Sequence, residues 1–442
     1  GHKRPAFINL QQYYLEQFMI ERLVELRADL RWGSQVIAVR QQADGVNVMI
    51  DTPDGCYEAC CQYLIASDGA RSPVRHMLGL ESRGQVFRDR FLIADVRMDA
   101  DFPTERWFWF DPPFHPGRSV LLHRQADNVW RIDFQLGWEA DPEAEKQPER
   151  VIPRIAAMLG SQYKFALEWV SVYTFQCRRM ERLLHGRVVF AGDAAHQVSP
   201  FGARGANSGM QDADNLVWKL DLVLKGSSPE ALLETYDSER GMAARENISH
   251  STRSTDFITP KSSVSRVFRD AVLELARQHE FARRLVNSGR LSTPTTYVGS
   301  SLNTEDRDAF RGACIPGAPS PDAPVRIQGQ PGWLLQLLGG QFVGIYFAGS
   351  QPVPSTMLAA LQGLERSTVP VKSIVISDQS SLVGCVDSEG LAKERLDARV
   401  GTYYLFRPDQ HVAGRWRTFE PAVVRDALAR ATGAEVVRRA AA

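Results

Sequence analysis

One segment limits the fold of this chain more than any other: Arg187-Val188-Val189-Phe190-Ala191-Gly192-Asp193-Ala194-Ala195-His196. A short apolar run bounded in this way reads as a strand buried on both faces, the kind found in a parallel sheet with helices against it. Gly192 permits a sharp turn at the strand's end, and the small residues after it let main chain approach a ligand closely. Asp193 has the chemistry to accept hydrogen bonds from sugar hydroxyls. An aspartate capping a helix gives the same pattern with no ligand involved. Both readings point to an α/β protein.

Two further segments share this style. Leu64-Ile65-Ala66-Ser67-Asp68-Gly69-Ala70-Arg71-Ser72-Pro73-Val74-Arg75 delivers a strand into an Asp-Gly turn, followed by two arginines four residues apart. A plain turn before a solvated helix is the bland alternative. Pro200-Phe201-Gly202-Ala203-Arg204-Gly205-Ala206-Asn207-Ser208-Gly209 opens a helical stretch. A glycine-rich helix start presents free N–H groups and a positive dipole end, which suits an anionic ligand.

Periodicity predicts a helix over Leu10–Leu30 and strands at Ser34–Arg40, Val46–Asp51 and Tyr57–Ser67. Aromatic-rich strands at 91–96, 106–110, 119–123 and 129–136 suggest an antiparallel sheet with one buried face. A helix over Val151–Leu159 and a strand over Trp169–Phe175 follow. Helices are expected at Asn215–Leu224, Pro229–Asn247 and Ser265–Asn287. A proline-rich loop, Leu291–Val325, leads to alternating strands and helices: Phe342–Phe347, Met357–Leu364, Val371–Ile376, Leu382–Val386, Tyr403–Phe406 and Pro421–Ala431.

The 442 residues allow about two to four domains. The 52 basic and 52 acidic residues leave a formal net charge of zero, which argues against wholesale binding to nucleic acid or an anionic membrane. Six cysteines, two of them adjacent at Cys60 and Cys61, make no disulfide scaffold, and a reducing, cytoplasmic setting is expected. No apolar run reaches the roughly 20 residues that span a bilayer. His, Cys and Glu nowhere show metal-ligand spacing, and the C-terminal stretch has Cys385 without a Cys-x-x-Cys pair.

Taken in order, the three motifs resemble those of the flavin-dependent aromatic hydroxylases of the para-hydroxybenzoate and phenol hydroxylase type, with the nearest likeness to 3-(3-hydroxyphenyl)propionate hydroxylases. The resemblance also runs through Gln12-Tyr13-Tyr14-Leu15-Glu16, Asn215-Leu216-Val217-Trp218-Lys219-Leu220, Pro316-Gly317 to Pro324, and Arg407-Pro408-Asp409. It implies an α/β fold with α+β elements. Residues 1–78 and 178–250 would form an incomplete FAD-binding Rossmann-like domain. Residues 79–177 would form an inserted antiparallel substrate sheet, 251–312 a helical segment, and 313–442 a thioredoxin-like domain without redox cysteines.

The resemblance also implies FAD and NAD(P)H as cofactors, with oxygen transferred from a flavin hydroperoxide to a small phenolic substrate. Gln12, Asp68, Arg71, Gly192, Asp193, Pro200, Gly205, Ala206 and Asn207 would face the cofactors. His196, Pro200 and Tyr173 would be catalytic, and Trp107, His123, Arg131 and Gln135 would line the substrate pocket with Trp109 beside them. Taken singly, the tryptophans read more simply as core, Arg131 as a salt-bridge partner, and the histidines as satisfied structural residues. Self-association into a homodimer is left open.

The chain departs from the family at its start, Gly1-His2-Lys3-Arg4, which carries no initiator Met. The family's Gly-x-Gly-x-x-Gly turn, which holds the FAD pyrophosphate, does not occur in this sequence. The expectation is an N-terminally truncated chain. Two alternatives stand beside the hydroxylase: a non-catalytic paralogue acting through its surfaces, and a flavin monooxygenase acting on a polyketide or by epoxidation.

Overall fold

The computed structural model describes residues 2–5, 8–160, 162–286, 293–350, 352–378 and 384–434. The first helix, α1 (Gln12–Glu25), forms where the periodicity places it, yet it buries none of its residues. Tyr13 and Phe18 stay more than half exposed, while Tyr14, Leu15, Ile20 and Leu23 are only partly covered. An antiparallel meander follows: β1 (Gln35–Gln41), β2 (Val46–Thr52) and β3 (Gly55–Cys61), with Val46 opposite Cys61. The single strand expected over Tyr57–Ser67 is in fact two. β3 ends at Cys61, and β4 (Leu64–Ala66) belongs to a different sheet. The short helix α2 (Pro73–Met77) starts on Ser72, whose Oγ accepts the Arg75 N–H.

The aromatic-rich region folds into β5 (Ser82–Met98), β6 (Arg106–Phe110), β7 (Ser119–Arg124) and β8 (Val129–Gln135). The helices α3 (Pro142–Glu145) and α4 (Pro148–Leu159) follow, then β9 (Phe165–Met180). Together with β12 (His196–Gln197) these strands make a six-stranded sheet in the order β12-β9-β5-β8-β7-β6. One face packs Leu92, Leu122, Trp130 and Ile132 against Val151, Ile155 and Leu159 of α4. Because side chains alternate along a strand, the other face carries the opposite set of residues. β9 continues to Met180, beyond the boundary expected at residue 177.

β10 (Leu184–His185) and β11 (Val188–Phe190) join β4, with β11 parallel to β4 and Phe190 paired with Ala66. All three β11 residues are buried, as the apolar run predicts. Helices α5 (Gly205–Leu224) and α6 (Glu234–Ile258) cover this sheet through Leu216 and Tyr236, and the Tyr236 hydroxyl donates to the Phe190 carbonyl at 2.7 Å. Then come α7 (Ser263–Ala276) and α8 (Glu280–Val286); Asn287 lies outside the described residues.

The C-terminal layer is a seven-stranded mixed sheet. Its elements in chain order are β13 (Pro324–Ile327), β14 (Gln330–Trp333), β15 (Phe342–Gly349), α9 (Ser355–Glu365) and β16 (Val371–Ser377). After these come β17 (Cys385–Val386), α10 (Leu391–Arg395), β18 (Tyr403–Phe406), β19 (Val412–Trp416) and α11 (Pro421–Ala431). The strand order is β14-β13-β17-β16-β15-β18-β19, with β15, β16 and β17 parallel. Of the strand expected at Leu382–Val386, only Cys385–Val386 is seen; Leu382 lies outside the described residues. α9 and α11 cover one face with Leu361, Leu364, Val424 and Leu428.

A buried ionic knot ties this layer to α5 and α6. Arg407 donates two hydrogen bonds to Glu239, at 2.6 and 2.9 Å, while Lys219 Nζ donates to Glu239 Oε2 at 2.8 Å. Among the described residues, no helix is long and apolar enough to cross a membrane.

Candidate functional site

The two Asp-Gly-type turns leave the parallel strands β4 and β11 side by side, because Leu64 to Ala66 run in register with Val188 to Phe190. Arg75 stitches the turns together. Its guanidinium donates to the Ala194 carbonyl at 2.7 Å and to the Ala70 carbonyl at 2.8 Å. Gln197 Nε2 adds a bond to the Ala70 carbonyl at 3.0 Å. Asp68 Oδ2 accepts the Val74 N–H at 2.9 Å, so this carboxylate orders its own turn. Of the two arginines in that motif, Arg75 is buried and structural, whereas Arg71 is exposed.

Gly192 sits at φ +60 and packs its backbone on that of Gly209; a Cβ on Gly209 would lie 3.4 Å from Gly192 Cα. The first turn of α5 thereby lies against the Gly-Asp turn, leaving Asp193, Pro200, Ala206 and Asn207 exposed, while Gly205 is half-buried. Such a helix start presents N–H groups with no intrahelical partner.

Asp212, which the sequence did not single out, sits behind this turn. One oxygen accepts the Gly192 N–H at 2.9 Å and a His196 Nε2 bond at 2.7 Å, and the other accepts Arg240 Nε at 2.6 Å. Burial alone would push the Asp212 carboxyl up, but His196 and Arg240 outweigh it and hold it below the usual range. His196, expected to be catalytic, is buried and engaged in holding this turn. No pattern in the sequence links His196 to Asp212, 16 residues on; only the fold brings α5 behind the turn.

The remaining candidates lie on the six-stranded sheet. On the face away from α4, register aligns Arg106 with His123, His123 with Arg131, and Arg131 with Asp95. Arg131 is bound bidentately by Asp95 at 2.8 and 2.9 Å. Gln135 is used at both ends, accepting the Ser119 N–H and donating to Asp89 at 2.6 Å. His123 is buried, and burial with the flanking Arg106 and Arg131 pushes it down to about 3, so the ring is neutral. Tyr173 is 44% exposed on the same face.

Trp107 and Trp109 do not join them. Trp107 pairs with Leu122, and both tryptophans pack into the α4-side core, on the opposite face of the sheet. The strand's alternation sends them there, a correction to the expectation that placed Trp107 in the pocket. Gln12 is exposed and donates to Glu16 Oε1, whereas its neighbour Gln11 is buried and donates to the Ala126 carbonyl. Two residues that sequence reasoning passed over share the His123 face, Arg106 and Asp133, and burial pushes the Asp133 carboxyl up to about 6.

The face meets the turn before α5 through Phe201, whose ring lies 5.2 Å from Phe91 and 5.3 Å from Phe175. Pro200 is therefore at the seam between the sheet and the start of α5.

Comparison with known proteins matches residues 2–251 to an FAD binding domain. A Streptomyces rimosus protein named 12-dehydrotetracycline 5-monooxygenase/anhydrotetracycline 6-monooxygenase is 32% identical over 297 residues, covering 64% of this chain and 58% of that protein. A 3-(3-hydroxy-phenyl)propionate/3-hydroxycinnamic acid hydroxylase of Mycolicibacterium smegmatis is 31% identical over 245 residues, covering 55% of this chain and 43% of that protein. The chain spans about half the length of these curated relatives. Among solved structures, an anhydrotetracycline hydroxylase from Streptomyces rimosus superposes with a TM-score of 0.69 at 27% identity, over 96% of this chain and 80% of that one. A flavin-dependent monooxygenase solved with FAD and substrate shares the fold at a TM-score of 0.77 and 24% identity, over 96% of this chain and 80% of that one.

Proposed function

Since the chain belongs to the FAD binding domain family, we propose that it acts as an FAD-dependent monooxygenase, hydroxylating a phenolic aromatic substrate with NAD(P)H and O2. The observation that carries this reading is the pair of stitched turns, Asp68 to Arg75 and Gly192 to His196, set against the start of a 20-residue helix. The residues present suit the ribityl and ring end of FAD. Close packing of the Gly192 and Gly209 backbones brings the start of α5 against the turn, and the exposed Asp193 carboxylate can accept sugar hydroxyls.

Bound FAD would supply hydride acceptance and oxygen activation. The protein's own tasks are binding, orientation and exclusion of water. The N–H groups of Gly205, Ala206 and Asn207 would meet the pyrimidine edge of the flavin, where the positive end of α5 favours negative charge. Pro200 would lie against the ring. The apolar wall of Phe91, Phe175 and Phe201 keeps water from the seam in which a substrate ring would sit. Asp212 and His196 hold the turn that carries Asp193.

A second reading, action on a fused-ring polyketide, is supported by the relatives named for tetracycline intermediates. Titration of the purified protein with FAD, followed by visible absorption, tests the cofactor. Phenol-stimulated NAD(P)H oxidation with a hydroxylated product tests the reaction; oxidation that yields only peroxide would rule out hydroxylation.

A further inference from the structure

The buried guanidinium of Arg240, on α6, holds two separate pieces of main chain at once. Its Nε donates to Asp212 Oδ1 at 2.6 Å, and the other oxygen of that carboxylate accepts the Gly192 N–H at 2.9 Å. Its Nη2 donates to the Ser208 carbonyl at 3.1 Å and to Ser208 Oγ at 3.0 Å, inside the first turn of α5. The third nitrogen, Nη1, donates to the Tyr297 hydroxyl at 3.0 Å. A guanidinium is planar and rigid, so the partner on one nitrogen helps fix where the other two point.

Tyr297 belongs to neither piece. It lies on the proline-rich stretch before β13, outside residues 2–251 that match the FAD binding domain, and the C-terminal layer clamps it. Its N–H donates to the Gly317 carbonyl at 2.9 Å, and the Gly317 N–H donates to the Val412 carbonyl of β19 at 2.7 Å. Its ring stacks on His411 with the centroids 4.5 Å apart, and the Arg407 guanidinium lies 5.5 Å over it. The phenol is therefore placed by the C-terminal sheet, while its hydroxyl ends on an arginine of α6. Without that hydroxyl, a buried charged donor loses its acceptor, and the guanidinium has reason to turn toward another.

We propose that Tyr297 is a positioning residue, through which the C-terminal sheet sets the Gly192 turn and the first turn of α5. It acts through Arg240, which reaches the turn by way of Asp212 and the helix start by way of Ser208. The inference rests on the FAD reading for what this geometry serves. Asp193 follows directly on the glycine that Asp212 holds, and Gly205, Ala206 and Asn207 precede the serine that Arg240 holds. Each of these residues would meet the cofactor. Hydrogen bonds in a buried, low-dielectric network are coupled, so a change at one end moves the other. This gives the C-terminal layer, which has no Cys-x-x-Cys pair, a task that needs no dithiol chemistry.

Tyr297→Phe removes the hydroxyl and keeps the ring stacked on His411. Deuterium uptake followed by mass spectrometry tests the proposal in the protein without FAD. Exchange over residues 188–196 and 204–210 is expected to quicken by about threefold or more, the coupling found within one hydrogen-bond network, while β15 and β16 keep their protection. Tyr404→Phe is the matched control, because that buried hydroxyl donates to the Leu396 carbonyl at 2.6 Å within the C-terminal layer. It should leave both segments unchanged. Unaltered exchange in Tyr297→Phe with native circular dichroism, or an equal rise in both variants, would overturn the proposal and reduce Tyr297 to packing. In protein loaded with FAD, Tyr297→Phe should also lower the flavin's reduction potential, since a displaced α5 start stabilises negative charge less well. An unchanged potential would likewise overturn it. Protein that takes up no FAD strikes the monooxygenase reading and leaves the exchange result to decide the role of Tyr297, so the two failures are separable.

Discussion

Asp212 spends both carboxylate oxygens inside the protein, on Gly192 N–H, His196 and Arg240, and none of it is open to solvent. Removing one member of a buried charged set leaves the others uncompensated, which costs about 3–5 kcal/mol. Asp212→Ala should lower unfolding free energy by that order in a urea titration, and the same change should weaken FAD binding because the Gly192 turn loses its acceptor. The folded-state pKa of Asp212 is depressed, so its contribution is present above the unfolded carboxylate value of about 4 and is lost as pH falls below it. Asp133 has the opposite sign. Its pKa is raised to about 6, so the native state binds the extra proton between about 4 and 6, and its ionisation above pH 6 destabilises the fold. Asp133→Asn should therefore raise the melting temperature at pH 7 to 8, and this gain should fade as pH falls through 6 toward 4. The sequence named His123 and Arg131 but not Asp133 or Arg106, since nothing in a linear pattern says which polar strand residue ends up buried without a partner.

Among the elements, β5 and β9 show how much depends on close main-chain approach. Gly84 is at φ +153, and a Cβ there would lie 2.1 Å from the Cys177 carbonyl oxygen. Backbone cannot yield as a flexible side chain can. Gly84→Ala should part β5 from β9 near Arg178 and cost more than the roughly 1 kcal/mol of an ordinary glycine replacement, read as a drop in the melting temperature. The strands themselves were legible where residues alternate, as in Phe91 to Val96, and where an apolar run is continuous, as in Val188 to Phe190. The split of Tyr57–Ser67 into β3 and β4 was not legible, because both pieces have strand composition and only pairing assigns them to separate sheets. Helix α1 was visible from its spacing, but its lack of buried residues was not, because a moment records where apolar residues point and not what meets them.

Across the whole molecule, the C-terminal sheet is bound to α5 and α6 through charge as well as apolar packing. Arg407, on the strand-end motif after β18, pairs with Glu239 of α6 and with Asp409, and Asn215 of α5 donates to both Glu239 and Asp409. Arg407→Met should destabilise the protein by about 3–5 kcal/mol, and Glu239→Gln should cost much less on top of it than alone. A double-mutant cycle in denaturant measures that coupling; additive losses would mean the two layers are joined by packing only.

The sequence by itself determined the α/β class, the strand-to-Gly-Asp turn and the family, because these rest on short-range patterns: a buried apolar run, a glycine that must turn, a helix start rich in small residues. Tertiary structure alone decided which polar groups are used up and which are left open. His196 and Arg131 were spent on Asp212 and Asp95, Trp107 went to the far face of its sheet, and Asp133 was left with a free oxygen. A side chain's chemistry becomes available or unavailable through its cross-strand and cross-layer neighbours, and those neighbours are set by register and packing between segments distant in the chain.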